Sequence, residues 1–173
     1  MRSRAVFIVI GGTVTVIGMI LFLALFLIPD ANPAFDVAVD FVNAAASGDD
    51  VIALPLLSPD LQTYVIKSCP DASVSSCVKS YTPAEWGDMM EAVFRRAIPD
   101  GDNAWDVLLF ATYEKGQGFS GVCIYNRVER VSDAAETKER WQVTRWSGFI
   151  ACKETNAGLS ELRSSSDIPN RAP

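Results

Sequence analysis

From residue 5 to residue 28 the chain reads AVFIVIGGTVTVIGMILFLALFLI, without one charged side chain. A helix rising ~1.5 Å per residue crosses the ~30 Å hydrocarbon core with about 20 such residues. The run therefore predicts a single transmembrane helix over 5–28. Arg2 and Arg4 stand before it, in a cytoplasmic stub of residues 1–4, whereas Asp30 and Asp36 come first after it and no basic residue follows until Lys67. That asymmetry puts the amino terminus inside and the rest of the chain outside. A cleaved secretory signal is the rival reading, but its apolar region is ~7–15 residues long and Pro29 would have to serve beside Ala31 at the cleavage site. Both readings place the following domain outside the cytoplasm. Gly11, Thr15 and Gly18 share one helical face and would let a partner membrane helix approach closely; glycine is also simply tolerated in such helices.

Past the span, the period becomes that of amphipathic helices. Asn32-Pro33 suits an N-cap followed by proline in the first turn. Phe35, Ala38, Val39, Val42, Ala45 and Ala46 fall on one face, and Asp36, Asp40, Asn43 and Ser47 form a narrow polar stripe. Ser47-Gly48-Asp49-Asp50 closes this helix and opens a second segment, 51–57, interrupted by Pro55. Ser58-Pro59 restarts a turn carrying Leu61, Tyr64 and Val65. The serine-rich stretch 67–80 is expected to be a loop away from the core. Thr82-Pro83-Ala84-Glu85 reads as a capping box opening a helix with Trp86, Met90, Val93, Phe94 and Ala97 at helical spacing, up to Pro99. From there the period is two. Residues 105–114 form a strand apolar on both faces, 114–118 a hairpin loop, and 119–131 and 138–152 two long strands joined around 132–137. Alternation puts Trp141, Val143 and Phe149 on one face, with Trp146 and Ile150 on the other. Residues 153–173 carry few apolar side chains and are expected to be a mobile tail.

Charge narrows the function classes. Among 173 residues there are 15 Lys and Arg, 21 Asp and Glu, and no histidine, for a net charge of −6. The missing histidine excludes His-based triads and His-containing zinc sites. All the acidic residues and all but two of the basic ones follow the apolar run. The outer domain is thus acidic, unsuited to nucleic acid and repelled by anionic headgroups. Its four cysteines would face an oxidising compartment. Cys69 and Cys77 flank one short segment and close easily. Cys123 and Cys152 pair by elimination, but a hairpin centred near Ala135 sets Cys123 opposite Ser147, so a bulge is required. No C-x2-C spacing supports a zinc site, and no cofactor is expected. Asp49-Asp50 suits helix capping better than acid–base chemistry, Asp100-Gly101-Asp102 reads as a turn, and Asp40 and Glu114 are expected to face water.

Helices followed by a meander of antiparallel strands make an α+β order. Residues 35–65, FDVAVDFVNAAASGDDVIALPLLSPDLQTYV, resemble the opening of nuclear transport factor 2-like domains. There a helix ends in a small residue-Gly-Asp turn, here Ser47-Gly48-Asp49, and a second helical segment closes with Leu-Ser-Pro, here Leu57-Ser58-Pro59. The resemblance covers residues 33–152 and implies a curved antiparallel sheet wrapped around the helices as a cone. The helix expected over 86–98 and the cysteine segment before it depart from that pattern, because the family has a shorter connection or strand pair there. Membrane-anchored members resemble binding or accessory modules of cell-envelope proteins, which makes an extracytoplasmic interaction module the expected function. Soluble members include enzymes that use a cone carboxylate, so an isomerase- or hydratase-like activity is the alternative; no position matches their catalytic motifs. A pocket inside the cone would draw on Tyr125 and Arg127 from one strand and Trp141 and Arg145 from the next. An ordinary amphipathic sheet carries the same pattern.

Overall fold

The computed structural model describes residues 32–115, 122–132, 139–152 and 156–164. The apolar run 5–28 and the chain beyond 164 lie outside them. Among the described residues no helix is long and apolar enough to cross a membrane.

Helix α1, Pro33–Ser47, starts as its sequence dictates: the Asn32 side chain accepts from Ala34 N at 3.0 Å and Pro33 opens the first turn. It stops at Gly48, whose φ of +83° is left-handed and costs glycine nothing. Asp49 then caps α2, Asp50–Ala53, by accepting from Ile52 N. Pro55 sits in a single 3-10 turn, and α3, Pro59–Ser68, follows. Between them, Ser58 N donates to Val143 O at 2.9 Å and ties the helical layer to the edge of the sheet.

The segment expected to be a loop contains a helix, α4, Val74–Tyr81. Its serines look like loop residues, yet several find hydrogen-bond partners, some local and some across the fold. Ser73 caps the helix by accepting from Ser76 N, and Ser75 donates from both N and Oγ to Asp50 Oδ1. Ser80 Oγ donates to Cys77 O. With those polar groups satisfied, Val74 and Cys77 are free to enter the core, and both are buried. Cys69 and Cys77 form a disulfide. This part of the chain belongs to the core and is not a peripheral insertion.

A second correction concerns the helix expected from Trp86. Only one 3-10 turn forms, Ala84–Trp86, and Gly87 ends it at φ +76° and ψ −164°, a conformation open essentially to glycine alone. The chain then becomes β1, Met89–Pro99. Two register shifts mark the strand: Met90 and Arg95 are extra residues against β2. Met89, Ala92, Phe94 and Ala97 therefore turn inward with spacings of three, two and three, whereas Met90 and Val93, which complete the helical spacing in the sequence, are exposed.

β1 pairs with β2, Ala104–Tyr113, which pairs with β3, Val122–Ser132, which pairs with β4, Glu139–Ala151, all antiparallel. The described residues thus form an α+β domain with a curved four-stranded sheet. β4 is also bulged, once at Thr144 and once between Ser147 and Ile150. These insertions bring Trp146 to the same face as Trp141, Val143 and Phe149, not to the opposite one. They also move Cys123 from Ser147 to Ile150, close enough for the Cys123–Cys152 disulfide. The bulge that the sequence required is present twice.

The sheet has two clothed faces. Against the inner face pack α1 to α4, with Phe41, Leu57, Val65 and Val74 meeting Val107, Leu109, Val128 and Val143. Against the outer face lies α5, Asn156–Ser164, inside the segment expected to be a mobile tail. Leu159 of α5 is buried with Leu108, Tyr125 and the Cys123–Cys152 pair. Few apolar residues are needed to seat a short helix, so the composition of the tail conceals it.

Candidate functional site

The outer face carries the most concentrated chemistry. Within β2 the pattern WDVLLFATY sets one carboxylate, Asp106, into an apolar strand, where it is fully buried. A carboxylate taken from water needs both charge compensation and hydrogen bonds. Register supplies the first set: Arg127 of β3 stands opposite Asp106. Asp106 Oδ1 accepts from Tyr125 Oη at 2.7 Å and from Arg127 Nη1 at 3.3 Å. Its Oδ2 accepts from Arg163 of α5 through Nε at 2.7 Å and through Nη2. Arg127 also donates from Nη2 to Asp100 at 2.8 Å and from Nε to Glu129 at 2.6 Å. Arg163 Nη1 reaches Asp100 at 3.2 Å.

These contacts set the protonation states. The hydrogen bond from Arg127, and the positive charges of Arg127 and Arg163, hold the Asp100 carboxyl below its usual value. Burial, reinforced by the adjacent Asp106 carboxylate, raises the Tyr125 phenol and keeps it neutral. The bond to Asp106 raises the Arg163 guanidinium. For Arg127, burial opposes the charge, but its bonds to Glu129 and Asp100 prevail and raise it. Every lone-pair direction of Asp106 is committed to a donor, which suits the holding of a guanidinium rather than the acceptance of a proton from a substrate.

Beside this cluster opens a cleft of about 530 Å³, lined among others by Ser58, Asp60, Thr144 and Arg145, and reaching Asp100, Arg127 and Arg163. The four residues expected to share a pocket are divided by the sheet. Tyr125 and Arg127 lie on the outer face and Arg145, the cross-strand partner of Arg127, lines the cleft. Trp141 packs toward the inner core with the Arg130 guanidinium 5.0 Å over its ring. Sequence reasoning missed Asp106 and Arg163. Asp106 had a readable signal, a lone charge inside an apolar strand; Arg163 had none.

The inner face is aromatic. Trp86 meets Tyr113 and Phe149 at 5.1 and 4.9 Å between ring centres, and Phe41 meets Trp146 at 5.3 Å. Burial pushes the Tyr113 phenol up to about 12 against the hydrogen bond with Thr82. In this setting Asn126 is fully buried and neither polar atom of its amide has a hydrogen-bond partner among the described residues. The remaining carboxylates of interest have structural settings: Asp49 caps α2, Asp50 anchors α4, and Asp40 and Glu114 are exposed. Among the described residues no group of side chains could hold a metal ion. Comparison of the chain with protein-family models, with curated proteins and with solved structures gives no match.

Proposed function

We propose that this chain is a single-pass, membrane-anchored binding module, with a nuclear transport factor 2-like domain outside the cytoplasm and an accessory role in a cell-envelope complex. The observation that carries the reading is the pairing of Cys69 with Cys77 and of Cys123 with Cys152. Disulfides persist in oxidising compartments, and the charge-free run 5–28, preceded by Arg2 and Arg4, leads into that side of a membrane. The order of helices before a curved antiparallel sheet supports the family likeness. Gly11, Thr15 and Gly18 would offer a helix face to a membrane-protein partner.

A second reading, an isomerase- or hydratase-like enzyme, draws on the buried carboxylate of Asp106 beside Tyr125. We favour binding because that carboxylate already accepts from two arginines and a tyrosine. The test is topological. In spheroplasts, a membrane-impermeant thiol reagent should label the domain from outside after reduction, and a reporter fused behind residue 173 should be active only outside. Labelling from the cytoplasmic side, or free thiols in protein isolated without reductant, would overturn the orientation. Detergent extraction should also recover the chain with a membrane partner; a strictly monomeric species would count against the accessory role.

A further inference from the structure

We propose that the free edge of β1 pairs with β1 of a second copy of this chain, antiparallel and two-fold about Val93, so that two sheets join into one. The step goes beyond the reading above and does not rest on it.

The two edges of the sheet differ. At β4, Ser58 N donates to Val143 O and Leu57 lies alongside, so the helical layer closes that edge. β1 forms the other edge, and among the described residues no strand or bridge pairs along its free side. An edge strand of 11 residues is a template for another strand unless charge, proline or a bulge blunts it. Here Pro99 stands at the far end, and the shifts at Met90 and Arg95 bracket a regular stretch, residues 91–94. Apolar side chains stay exposed along it: Met90 at 69%, Val93 at 43% and Phe94 at 47%. Ile52, also exposed, shares a cleft of about 690 Å³ with Met90 and extends this patch toward α2.

The order of side chains names the occupant. Val93 stands opposite Phe110, and the Arg95 guanidinium lies 4.5 Å over the Phe110 ring, which places both on the outer face. Glu91, two residues before Val93, shares that face. An antiparallel partner centred on Val93 therefore sets each Glu91 opposite Arg95 of the other copy, and the two Val93 side chains meet on the axis. In that register the strand is complementary to itself. The two opposite-charge pairs supply local attraction between chains that each carry a net charge of −6.

The backbone agrees with this register. Ala92 N points to the free edge, where it donates to Asn43 Oδ1 at 3.0 Å. Alternation along the strand turns Phe94 to the same edge. With the axis at Val93, Phe94 N donates to Ala92 O of the second copy, and Phe94 O takes the place of Asn43 at Ala92 N. Asn43 thus satisfies in the single chain a donor that the joined ladder satisfies in the pair.

The experiment uses the full chain in detergent micelles, with association followed by sedimentation equilibrium; a reversible dimer is expected. Glu91→Arg and Arg95→Glu, both at exposed positions, each set like charges opposite one another twice. Each should weaken the dimer at least about ten-fold. A chain carrying both changes should dimerise as the unaltered chain does. The two single variants, mixed, should form the heterodimer that restores both charge pairs. On mild oxidation Val93→Cys should cross-link into a covalent dimer, and Val51→Cys, more exposed but off the axis, should cross-link far less. A chain that stays monomeric, or equal cross-linking at positions 51 and 93, would overturn the proposal. So would a dimer indifferent to both single charge changes, which would assign the association to the face of Gly11, Thr15 and Gly18 instead.

Discussion

The two faces of the sheet solve opposite problems. The inner face packs aromatic and β-branched side chains and leaves one amide, Asn126, without a partner among the described residues. The outer face buries a full charge, Asp106, and surrounds it with donors. Packing decides the first, and it is forgiving of chemistry as long as volume is kept. Pairing decides the second, and it tolerates no missing member. The comparison teaches where specificity lies: an apolar face accepts many shapes, whereas the Asp106 cluster accepts a guanidinium in one orientation.

The strongest way to break the contrast is Asp106→Ala. It removes the acceptor of two arginines and Tyr125, leaving part-buried guanidinium groups to share Asp100 and Glu129. We expect a loss of about 3–5 kcal/mol in urea denaturation. A loss below about 1 kcal/mol would rank the cluster with exposed ion pairs and erase the distinction between the faces.

The disulfides come next, one for each face. Cys123–Cys152 closes a separation of 29 residues under α5, and Cys69–Cys77 closes 8 within the inner helical layer. Loop-closure entropy assigns about 3–4 kcal/mol to the longer and about 2–3 kcal/mol to the shorter. Alanine pairs at each position should follow that order, and the first should also loosen α5, seen as faster amide exchange in Leu159 to Arg163. A reversed order would show that burial of Cys77, not loop length, sets the energetics.

The same contrast explains what could be read from the chain. α1, the Gly48 turn and the Pro55 break were legible because capping and proline act locally. The three strands after Asp100 were legible from their period. β1 was not, since Met90, Val93, Phe94 and Ala97 recur at helical spacing although Met90 and Val93 are exposed on the strand. The face of Trp146 was lost through the bulge at Thr144. α4 and α5 were hidden by polar composition that tertiary contacts use: Ser75 bonds Asp50, and Arg163 bonds Asp106. The candidate site combines residues 57 apart in sequence. A pairing of that kind leaves no trace in local spacing: Tyr125 and Arg127 could be read as sharing one face of a strand and Asp106 as a lone charge in an apolar strand, but not their meeting with Arg163 on the outer face.

A smaller effect of opposite sign should come from the inner face. Asn126→Leu is close in volume and removes two buried polar atoms that lack partners among the described residues. We expect a gain of about 1–2 kcal/mol, measured by the same denaturation. A loss instead would reveal an internal partner for the amide, and the inner face would no longer be the plain apolar counterpart of the outer one.

The smallest expected effect is acid sensitivity, and it separates the two faces by location. Asp100 on the outer side is held below the usual carboxyl value of 3.8 by its bond to Arg127. Asp50 on the helical side is also lowered: burial pushes it up, but hydrogen bonds from Ser73, Ser75 and Val74 outweigh burial. A carboxyl with a depressed folded value contributes stability that is complete above 3.8 and is lost as pH falls through that lower value. Stability should therefore be level near about pH 5 and decline below about pH 4. Asp100→Asn should flatten part of that decline and weaken the seating of α5 at neutral pH. Asp50→Asn should flatten another part while leaving α5 in place, with α4 loosened instead. If both variants keep the full acid slope, other carboxylates govern it. If Asp50→Asn frees α5 as well, the two faces are coupled through the sheet, and the division of labour between them has to be given up.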